Sequence, residues 1–263
     1  MLLGSIEIKN LFKRYGNVVA LNGITLDIPS GLIYGVIGPN GSGKTTLLKA
    51  IAGIIPFDAG QLAVRGIDVG QSPNEVKKIL GYVPETPILY ESLTPAEFLA
   101  FVGSIRGMDH RVLSQRTDTL CKAFGIRDKV NDFIGGLSFG TKQKVAIISA
   151  LIHDPDVIVM DEGMNGLDPK SSRILKEILT ELARRGKSIV VSTHILEVAQ
   201  QMCDRISILY QGRIVASGDM SGLREMAGTK DADLEDIFLR MTESDNLSSS
   251  VDSVLRAMGE NES

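Results

Sequence analysis

The glycine-rich segment from Gly38 to Thr45 constrains the fold of this chain more than any other feature. It follows an apolar run, Leu32–Ile37, that is typical of a buried strand, and it opens a helical pattern, Thr45–Ala52. In that strand–loop–helix setting, the pattern G-x-x-x-x-G-K-[ST] is typical of a phosphate-binding turn. The residues that fit the pattern are Gly38, Pro39, Asn40, Gly41, Ser42, Gly43, Lys44 and Thr45.

The chemistry of this loop explains why these residue types occur at this spacing. Glycines let successive backbone N–H groups turn toward one point, and the positive end of the following helix points to the same place. Lys44 adds a point charge for the β- and γ-phosphates, and the Thr45 hydroxyl is a natural Mg²⁺ ligand. An ordinary glycine-rich turn is the alternative interpretation, and the flanking strand and helix disfavour it.

The order of strands and helices predicts an α/β fold. Two β-rich runs near the start, Ile6–Leu11 and Ile24–Ile28, predict antiparallel strands, with turn residues at Gly16-Asn17 and Asn22-Gly23. Later apolar strands alternate with helices, which is typical of a parallel sheet covered on both faces. The strands that alternate with helices are predicted at Val157–Met160, Ser188–Ser192 and Arg205–Tyr210, with a hairpin at Gln211-Gly212, and two further strands are predicted at Gln61–Val64 and Gly81–Val83.

Helical patterns dominate from Thr86 to His153 and predict a helical subdomain, 86–153, inserted into a core formed by 1–85 and 154–220. They include a helix over Val145–Ile152. In the core, a helix over Pro169–Arg185 is capped by Asp168 and stopped by Gly186. A C-terminal element, 221–241, completes a single domain, 1–241, and residues 242–263 read as a polar tail.

A second motif is acidic: the apolar strand Val157–Met160 is followed by Asp161 and Glu162. The carboxyl end of a strand in an α/β sheet faces the crevice where ligands bind. Asp161 is placed to hold Mg²⁺ through a water, and Glu162 to act as general base on an attacking water. A solvated acidic turn is the alternative interpretation, which the phosphate loop in the same chain disfavours.

Charge and composition exclude several classes of protein. The net charge of −4 gives no basic footprint for nucleic acid, so no nucleic-acid partner is expected. No uncharged apolar run approaches the roughly 20 residues of a membrane span, and the first residues do not resemble a secretory signal. Cys121 and Cys203 are far apart and predict buried, inert thiols, and the three histidines are too scattered to suggest a metal cluster.

The segment Leu137-Ser138-Phe139-Gly140-Thr141-Lys142-Gln143 resembles the LSGGQ signature of the ABC ATPases. Other motifs of that family lie in the same order along the chain. Tyr82–Glu85 resembles the family's Q-loop, Asn165–Asp168 its D-loop, and His194 its switch histidine. Tyr15 lies where the family has an aromatic residue that stacks on adenine. The resemblance extends from about Ile6 to Gly218, which is most of the chain.

The resemblance implies a P-loop NTPase of the ABC type, with a RecA-like, mostly parallel sheet, an antiparallel β subdomain and an inserted α-helical subdomain. It implies ATP as ligand and Mg²⁺ as cofactor. The expected catalytic residues are Lys44, Glu85, Glu162 and His194, and the expected metal ligands are Thr45, Glu85 and Asp161. The expected ATP-binding residues are Tyr15, Gly38, Pro39, Asn40, Gly41, Ser42, Gly43, Lys44, Thr45, Thr46, Ser138, Gly140 and Asp168.

The resemblance also implies partners. Two nucleotide-binding domains, expected to be identical chains, pair head to tail. Ser138 and Gly140 of one then complete the site around ATP on the other phosphate loop. The pair would drive a separate transmembrane permease from the cytoplasmic face of the membrane, to which it is peripherally bound. ATP binding and γ-phosphate loss then form a two-state switch.

Four departures from the family pattern stand out. Glu85 occupies the usual glutamine position, which keeps a side-chain oxygen for the metal and adds a negative charge. Phe139 replaces the first glycine of the signature, and Thr141 replaces its glutamine. Gly163-Met164 follow Glu162 where the family often has Pro-Thr.

Two segments resemble ABC subunits that drive export: Leu89–Thr94 after the Q-loop and Leu234–Thr242 near the end. Tyr90, Leu93, Phe98 and Phe101 are candidates for a groove that receives the permease, although they could equally be core residues. A soluble ABC ATPase acting on DNA or ribosomes is the alternative; such proteins usually carry two ATPase domains or a long coiled-coil insertion. A nucleotide-binding regulator without turnover is a third class.

Overall fold

The computed structural model describes residues 5–242, so the predicted polar tail lies outside the described residues from residue 243 onward. The strands are β1 (Ile6–Tyr15), β2 (Val18–Ile28), β3 (Ile33–Ile37), β4 (Ala59–Val64), β5 (Ile67–Asp68), β6 (Leu80–Val83), β7 (Val157–Asp161), β8 (Ser188–Thr193), β9 (Arg205–Tyr210) and β10 (Arg213–Gly218). The helices are α1 (Lys44–Ile51), α2 (Pro73–Ile79), α3 (Pro95–Ile105), α4 (His110–Ala123), α5 (Phe139–Leu151), α6 (Pro169–Arg184), α7 (Leu196–Met202), α8 (Met220–Met226) and α9 (Leu234–Met241).

A mixed, mostly parallel sheet has the strand order β10-β9-β3-β8-β7-β6. Only the β9–β10 hairpin in it is antiparallel. Every residue of β3, β7 and β8 is buried, since a parallel sheet is covered on both faces. The α/β prediction is therefore confirmed, and the predicted hairpin at Gln211-Gly212 joins β9 and β10 as expected.

The second sheet is antiparallel, with the order β2-β1-β4-β5. The turn predicted at Gly16-Asn17 joins β1 and β2. The turn predicted at Asn22-Gly23 is wrong, because β2 runs on through both residues. The register shifts between the Leu11–Ile24 and Phe12–Asn22 pairs, which leaves Gly23 unpaired at φ +73°. The same local signal for a positive φ thus produces a bulge in a continuous strand.

Residues 84–156, all of them described, contain the helices α3, α4 and α5 with two short 3-10 turns and no strand. Helix α3 begins at a capping box made by Thr94 and Glu97, and Asp109 caps α4. The last helix begins earlier than the predicted Val145: it starts at Phe139, because Ser138 caps it. The short helix α2 was not predicted from the sequence. The division of the chain into a core and a helical subdomain remains a prediction.

The parallel strands end at one edge of the large sheet, and this edge positions the candidate site. Ile37 of β3 lies beside Thr193 of β8, and Asp161 of β7 lies beside Ser192. The loops that follow these strands therefore meet, as expected at the carboxyl edge of an α/β sheet. None of the helices within residues 5–242 combines the length and apolarity needed to cross a membrane.

Candidate active site

The phosphate loop joins β3 to α1 and is held mainly by its own residues. Lys44 is only 6% exposed, and its Nζ donates to the carbonyl oxygens of Gly38 (2.8 Å) and Pro39 (3.2 Å). Gly43 has φ +112°, a backbone conformation that favours glycine. The hydroxyl of Ser42 is buried and has no hydrogen-bond partner among the described residues. Such an unpartnered donor inside a glycine loop fits a phosphate oxygen as its missing acceptor.

Three further predicted ATP-binding residues lie at the start of α1 and at the end of β1. Thr45 and Thr46 are partly buried in the first turn of α1, where their backbone lies at the positive end of the helix. Tyr15 ends β1 with its ring half exposed, and the Lys13 Nζ lies 5.3 Å from the ring centroid. An exposed aromatic face of this kind suits base stacking, which stays a prediction.

Asp161 is the last residue of β7 and is almost completely buried. Its Oδ1 accepts a hydrogen bond from the Ser192 hydroxyl at 2.6 Å. Its Oδ2 has no partner among the described residues. Because a buried carboxylate oxygen without a partner is costly, this atom fits a site completed by a cation or its bound water. The unpartnered Oδ2 therefore fits the prediction that Asp161 is one of the Mg²⁺ ligands.

Glu162 follows directly and is 6% exposed. Its backbone has φ +50°, and its N–H donates to the Ser192 hydroxyl and carbonyl oxygens at 3.1 and 3.2 Å. A non-glycine residue in this region is strained, a state that clusters at functional sites. Its carboxylate lies 4.0 Å from the Lys44 Nζ through Oε1 and 2.9 Å from the His194 Nδ1 through Oε2, the latter without hydrogen-bond alignment.

The structure thus brings Lys44, Asp161, Glu162 and His194 together at the carboxyl edge of the sheet. Glu85 is exposed in the loop after β6 and makes no side-chain hydrogen bond in the part of the chain described. Tyr82 of β6, three residues earlier, was named from the sequence only as the start of the Q-loop resemblance, with no role of its own. Its buried hydroxyl is unpartnered, and burial, followed by the charges of Asp161 and Glu85, raises the pKa of Tyr82.

The signature segment lies at the N-terminus of α5 and does not contact the phosphate loop through any described hydrogen bond or ion pair. Ser138 caps α5 by accepting from the Thr141 N–H at 3.3 Å, and its hydroxyl lies 2.9 Å from the Thr141 hydroxyl. Thr141, one of the departures from the family pattern, thus gives Ser138 a second contact. Within residues 5–242, no hydrogen bond or ion pair of residues 138–144 reaches the phosphate loop. The structure leaves Ser138 and Gly140 apart from the Lys44 cluster.

The N-terminus of α5 packs instead against the D-loop of the same chain. A side-chain carbon at Gly166, which has φ +75°, would collide with the Phe139 ring, and one at Gly140 would collide with the Gly166 carbonyl oxygen. The bulky Phe139 in place of glycine is therefore matched by a glycine opposite. This contact explains structurally how the second departure is accommodated.

Asp168 acts as the predicted N-cap of α6. It accepts from the Ser171 N–H (2.9 Å) and hydroxyl (2.8 Å), and it pairs with Lys144 of α5 at 2.6 Å. Lys144, followed by the two Ser171 hydrogen bonds, holds the pKa of the Asp168 carboxyl well below its usual range. Its oxygens are engaged within the chain, so its ATP-binding role stays a prediction.

A lysine-bearing glycine loop beside a buried glutamate, at the carboxyl ends of parallel strands, defines the class of P-loop nucleoside triphosphatases. Comparison with known proteins identifies the particular family. The profile of the family described as ABC transporter matches residues 21–165. The chain is 39% identical to the ABC transporter ATP-binding protein NatA of Bacillus subtilis over 216 residues, 81% of this chain and 87% of that one.

Another relative and two solved structures support the same family. The Nod factor export ATP-binding protein I of Burkholderia lata is 34% identical, over 86% of this chain and 74% of its own length. The solved structure of an ATP-binding subunit of an ABC transporter superposes with a TM-score of 0.86 at 32% identity, covering 90% of this chain and 98% of that one. A dimeric ATP-binding cassette with ADP and Pi superposes at 0.76 with 26% identity, over 82% and 98%. The chain belongs to the ABC transporter family, and it is an ATPase.

Proposed function

We propose that this ABC ATP-binding subunit hydrolyses ATP to drive export through a separate membrane permease. The observation that carries the proposal is the cluster of Lys44, Glu162 and His194, which holds a buried carboxylate beside the phosphate loop. Export is supported by relatives whose names include Nod factor export and multidrug transport.

Each residue of the cluster has a step in hydrolysis. Lys44 neutralises the β- and γ-phosphates, and the backbone N–H groups of the loop orient them. Glu162 takes the proton of the attacking water, since its carboxylate faces the Lys44 end of the phosphate loop. His194, next to Glu162 Oε2, orients that carboxylate and senses the γ-phosphate. Thr45, Glu85 and Asp161 would hold Mg²⁺, which when bound neutralises charge on the phosphates.

A single chain would contact the γ-phosphate from one side only. Ser138 is exposed at the N-terminus of α5, and Gly140 follows it in the first turn, so both can meet a second molecule. We infer that a second copy supplies these groups and that ATP holds the dimer together. The dimeric cassette with ADP and Pi, which this chain resembles, supports this arrangement.

We propose a permease-binding surface that keeps two of the four residues of the predicted groove. Phe98 is only 7% exposed and packs in the core with Leu99 of the same helix, and Leu93 is partly buried against the same cluster, so the core interpretation holds for both. Tyr90 is 58% exposed and Phe101 43%, and their rings meet edge to face at 5.7 Å. Tyr90 and Phe101 form what we call the aromatic patch, and Ile88, two residues before Tyr90, is 85% exposed. Exposed apolar groups in such proximity suit a docking helix.

The aromatic patch is tested by co-purification of a tagged chain with integral membrane protein from source cells. Tyr90→Asp and Phe101→Asp should each abolish recovery of the membrane partner while leaving basal ATP hydrolysis in place. The matched control is Val112→Asp, another exposed apolar residue of the helical region. Full recovery of the partner with both patch variants would refute this surface, and attachment at the cytoplasmic face would then need another explanation.

Action on DNA or ribosomes is the second candidate, and the net charge of −4 speaks against it. Stimulation of hydrolysis by either nucleic-acid substrate, without any membrane partner, would favour that candidate. A regulator without turnover is disfavoured because Lys44, Asp161, Glu162 and His194 are all in place. Steady-state phosphate release from the purified chain distinguishes a regulator from an ATPase subunit.

A further inference from the structure

We propose that Gln143 of α5 is a positioning residue for Glu162, and that it acts by fixing the backbone directly after that glutamate. The proposal rests on the function proposed above, in which Glu162 is the general base. Gln143 touches neither the phosphate loop nor the predicted metal ligands through any described hydrogen bond. Its influence on hydrolysis must therefore pass through the loop that it holds.

The contact is a single buried hydrogen bond. Gln143 is 0% exposed, and its Nε2 donates to the Gly163 carbonyl oxygen at 3.0 Å. Its Oε1 has no partner among the described residues. A buried amide with one unsatisfied end is unfavourable, and an apolar side chain of the same size would pack at least as well. The bond to Gly163 is thus the contribution of Gln143 that an apolar residue would not replace.

Gly163 belongs to a segment that packs against Met160 and Val83 on one side and borders a cavity on the other. A side-chain carbon at Gly163 would lie 2.6 Å from the Met160 Cε, 3.1 Å from the Met160 Cβ and 3.3 Å from the Val83 Cγ1, so a larger residue fits there only if the Met160 side chain moves. Beyond the segment, a cavity of about 180 Å³ is lined partly by Met164 and Ile195. The Gln143 hydrogen bond therefore anchors the Gly163 peptide to α5.

Glu162 is the residue that such an anchor protects. Its φ of +50° is a strained conformation, which persists only where surrounding contacts over-determine it. Ser192 holds its N–H, the Asn165 N–H donates to its carbonyl oxygen at 3.0 Å, and Gln143 holds the carbonyl of the next residue. If the Gly163 peptide turned toward the cavity, the Glu162 carboxylate would move away from Lys44 and His194. Gln143 blocks that movement.

The neighbours of Gln143 connect the same helix to two other segments. Lys142 pairs with Glu91, next to Tyr90 of the aromatic patch, at 2.8 Å. Lys144 pairs with Asp168 of the D-loop at 2.6 Å. Through these contacts, a shift of α5 caused by the permease or by the partner's nucleotide reaches the Gly163 carbonyl. The orientation of the base then depends on the position of the helix.

The primary test is Gln143→Met, which removes the donor and the unsatisfied oxygen but keeps the length of the side chain. We expect kcat to fall about ten- to a hundred-fold, the range for a catalytic group displaced by about 1 Å. KM for ATP and the Kd for ADP should change less than about twofold, since phosphate binding does not involve Gln143. The control is Ser149→Ala on the same helix, whose hydroxyl donates only to Ala146 in its own helix.

A double-mutant cycle with Glu162→Gln separates positioning from general damage. If Gln143 acts through Glu162, then Gln143→Met should add no further loss to the Glu162→Gln variant. The proposal would be overturned if the losses of kcat from the two substitutions multiplied in the double variant. An unchanged kcat in Gln143→Met alone, or a parallel loss of its ADP affinity, would also overturn it. Failure of the proposed function is distinguishable, because it would appear as normal hydrolysis by Glu162→Gln alone.

A second variant keeps the test decisive if Gln143→Met folds poorly. In Gln143→Glu, the protonated carboxyl can donate the same hydrogen bond, and the ionised form cannot. Its kcat relative to that of the unmodified chain should therefore fall as pH rises, while melting temperature is followed in parallel. A ratio of kcat values that stays constant across pH, in a folded variant, would contradict the positioning role.

Discussion

The phosphate loop and the signature segment are both glycine-containing turns at a helix N-terminus, and their surroundings differ sharply. Lys44 of the loop is buried and bonded to its own loop carbonyls. Gly38 packs so closely on the end of β9 that a side-chain carbon would collide with the Leu209 carbonyl oxygen. Ser138 of the signature is exposed, and within residues 5–242 the hydrogen bonds of its side chain reach only Thr141.

The comparison teaches that one chain builds one half of its site completely and leaves the other half available. The phosphate loop must hold an anion firmly, so its backbone is fixed by burial and close approach. The signature must meet another molecule, so it stays at the surface while Phe139 and Gly140 anchor its back to Gly166. Substitutions in the two regions should therefore fail in different ways.

The largest effect is expected from Glu162→Gln, which keeps the loop and removes the base. Hydrolysis should slow by roughly 10²–10⁴, the usual contribution of a positioned general base. ATP should still bind, and the protein should accumulate as an ATP-bound dimer that gel filtration with light scattering detects. Glu177→Gln on the exposed face of α6 serves as control. Unchanged steady-state hydrolysis by Glu162→Gln would show that another group is the base.

The next effect is expected on the phosphate-loop side, from Gly38→Ala. The added carbon would collide with the Leu209 carbonyl oxygen, and a backbone shift of this kind costs about 1–3 kcal/mol. ADP binding by calorimetry should weaken about ten- to a hundred-fold in the isolated chain. Gly218→Ala, whose nearest neighbour would lie at 3.6 Å, should bind ADP normally. Equal ADP affinities for the two variants would contradict the described packing of the loop.

Gly140→Ala tests the signature side and should spare nucleotide binding. The new carbon meets the Gly166 carbonyl oxygen, so α5 must shift relative to the D-loop. We expect ADP affinity to be unchanged and hydrolysis to fall about tenfold, because the shifted surface fits a second chain less well. Gly136→Ala, with no neighbour within 4 Å, is the control. Loss of ADP affinity in Gly140→Ala would remove the distinction between the two halves.

Sequence patterns predicted the phosphate loop, the buried strands and the capping role of Asp168, because each depends on local residue types. They failed at Gly23, where pairing with β1 turned a local turn signal into a bulge. They also failed at the start of α5, where the exposed Ser138 cap lies ahead of the apolar residues on which the prediction relied. The contact of Gln143 with Gly163 could not be predicted, since it joins segments that only the fold brings together.

The smallest effect is expected from Glu85→Gln, which restores the residue that the family usually has. Glu85 is exposed and makes no side-chain hydrogen bond within the described residues, so its replacement disturbs no packing. Both side chains present an oxygen at similar reach, and only one negative charge is lost. Mg²⁺-dependent ATP binding should therefore change less than about threefold, measured by titration at several Mg²⁺ concentrations. A tenfold loss of ATP affinity would mean that the charge of Glu85 itself, and not only its oxygen, belongs to the metal site.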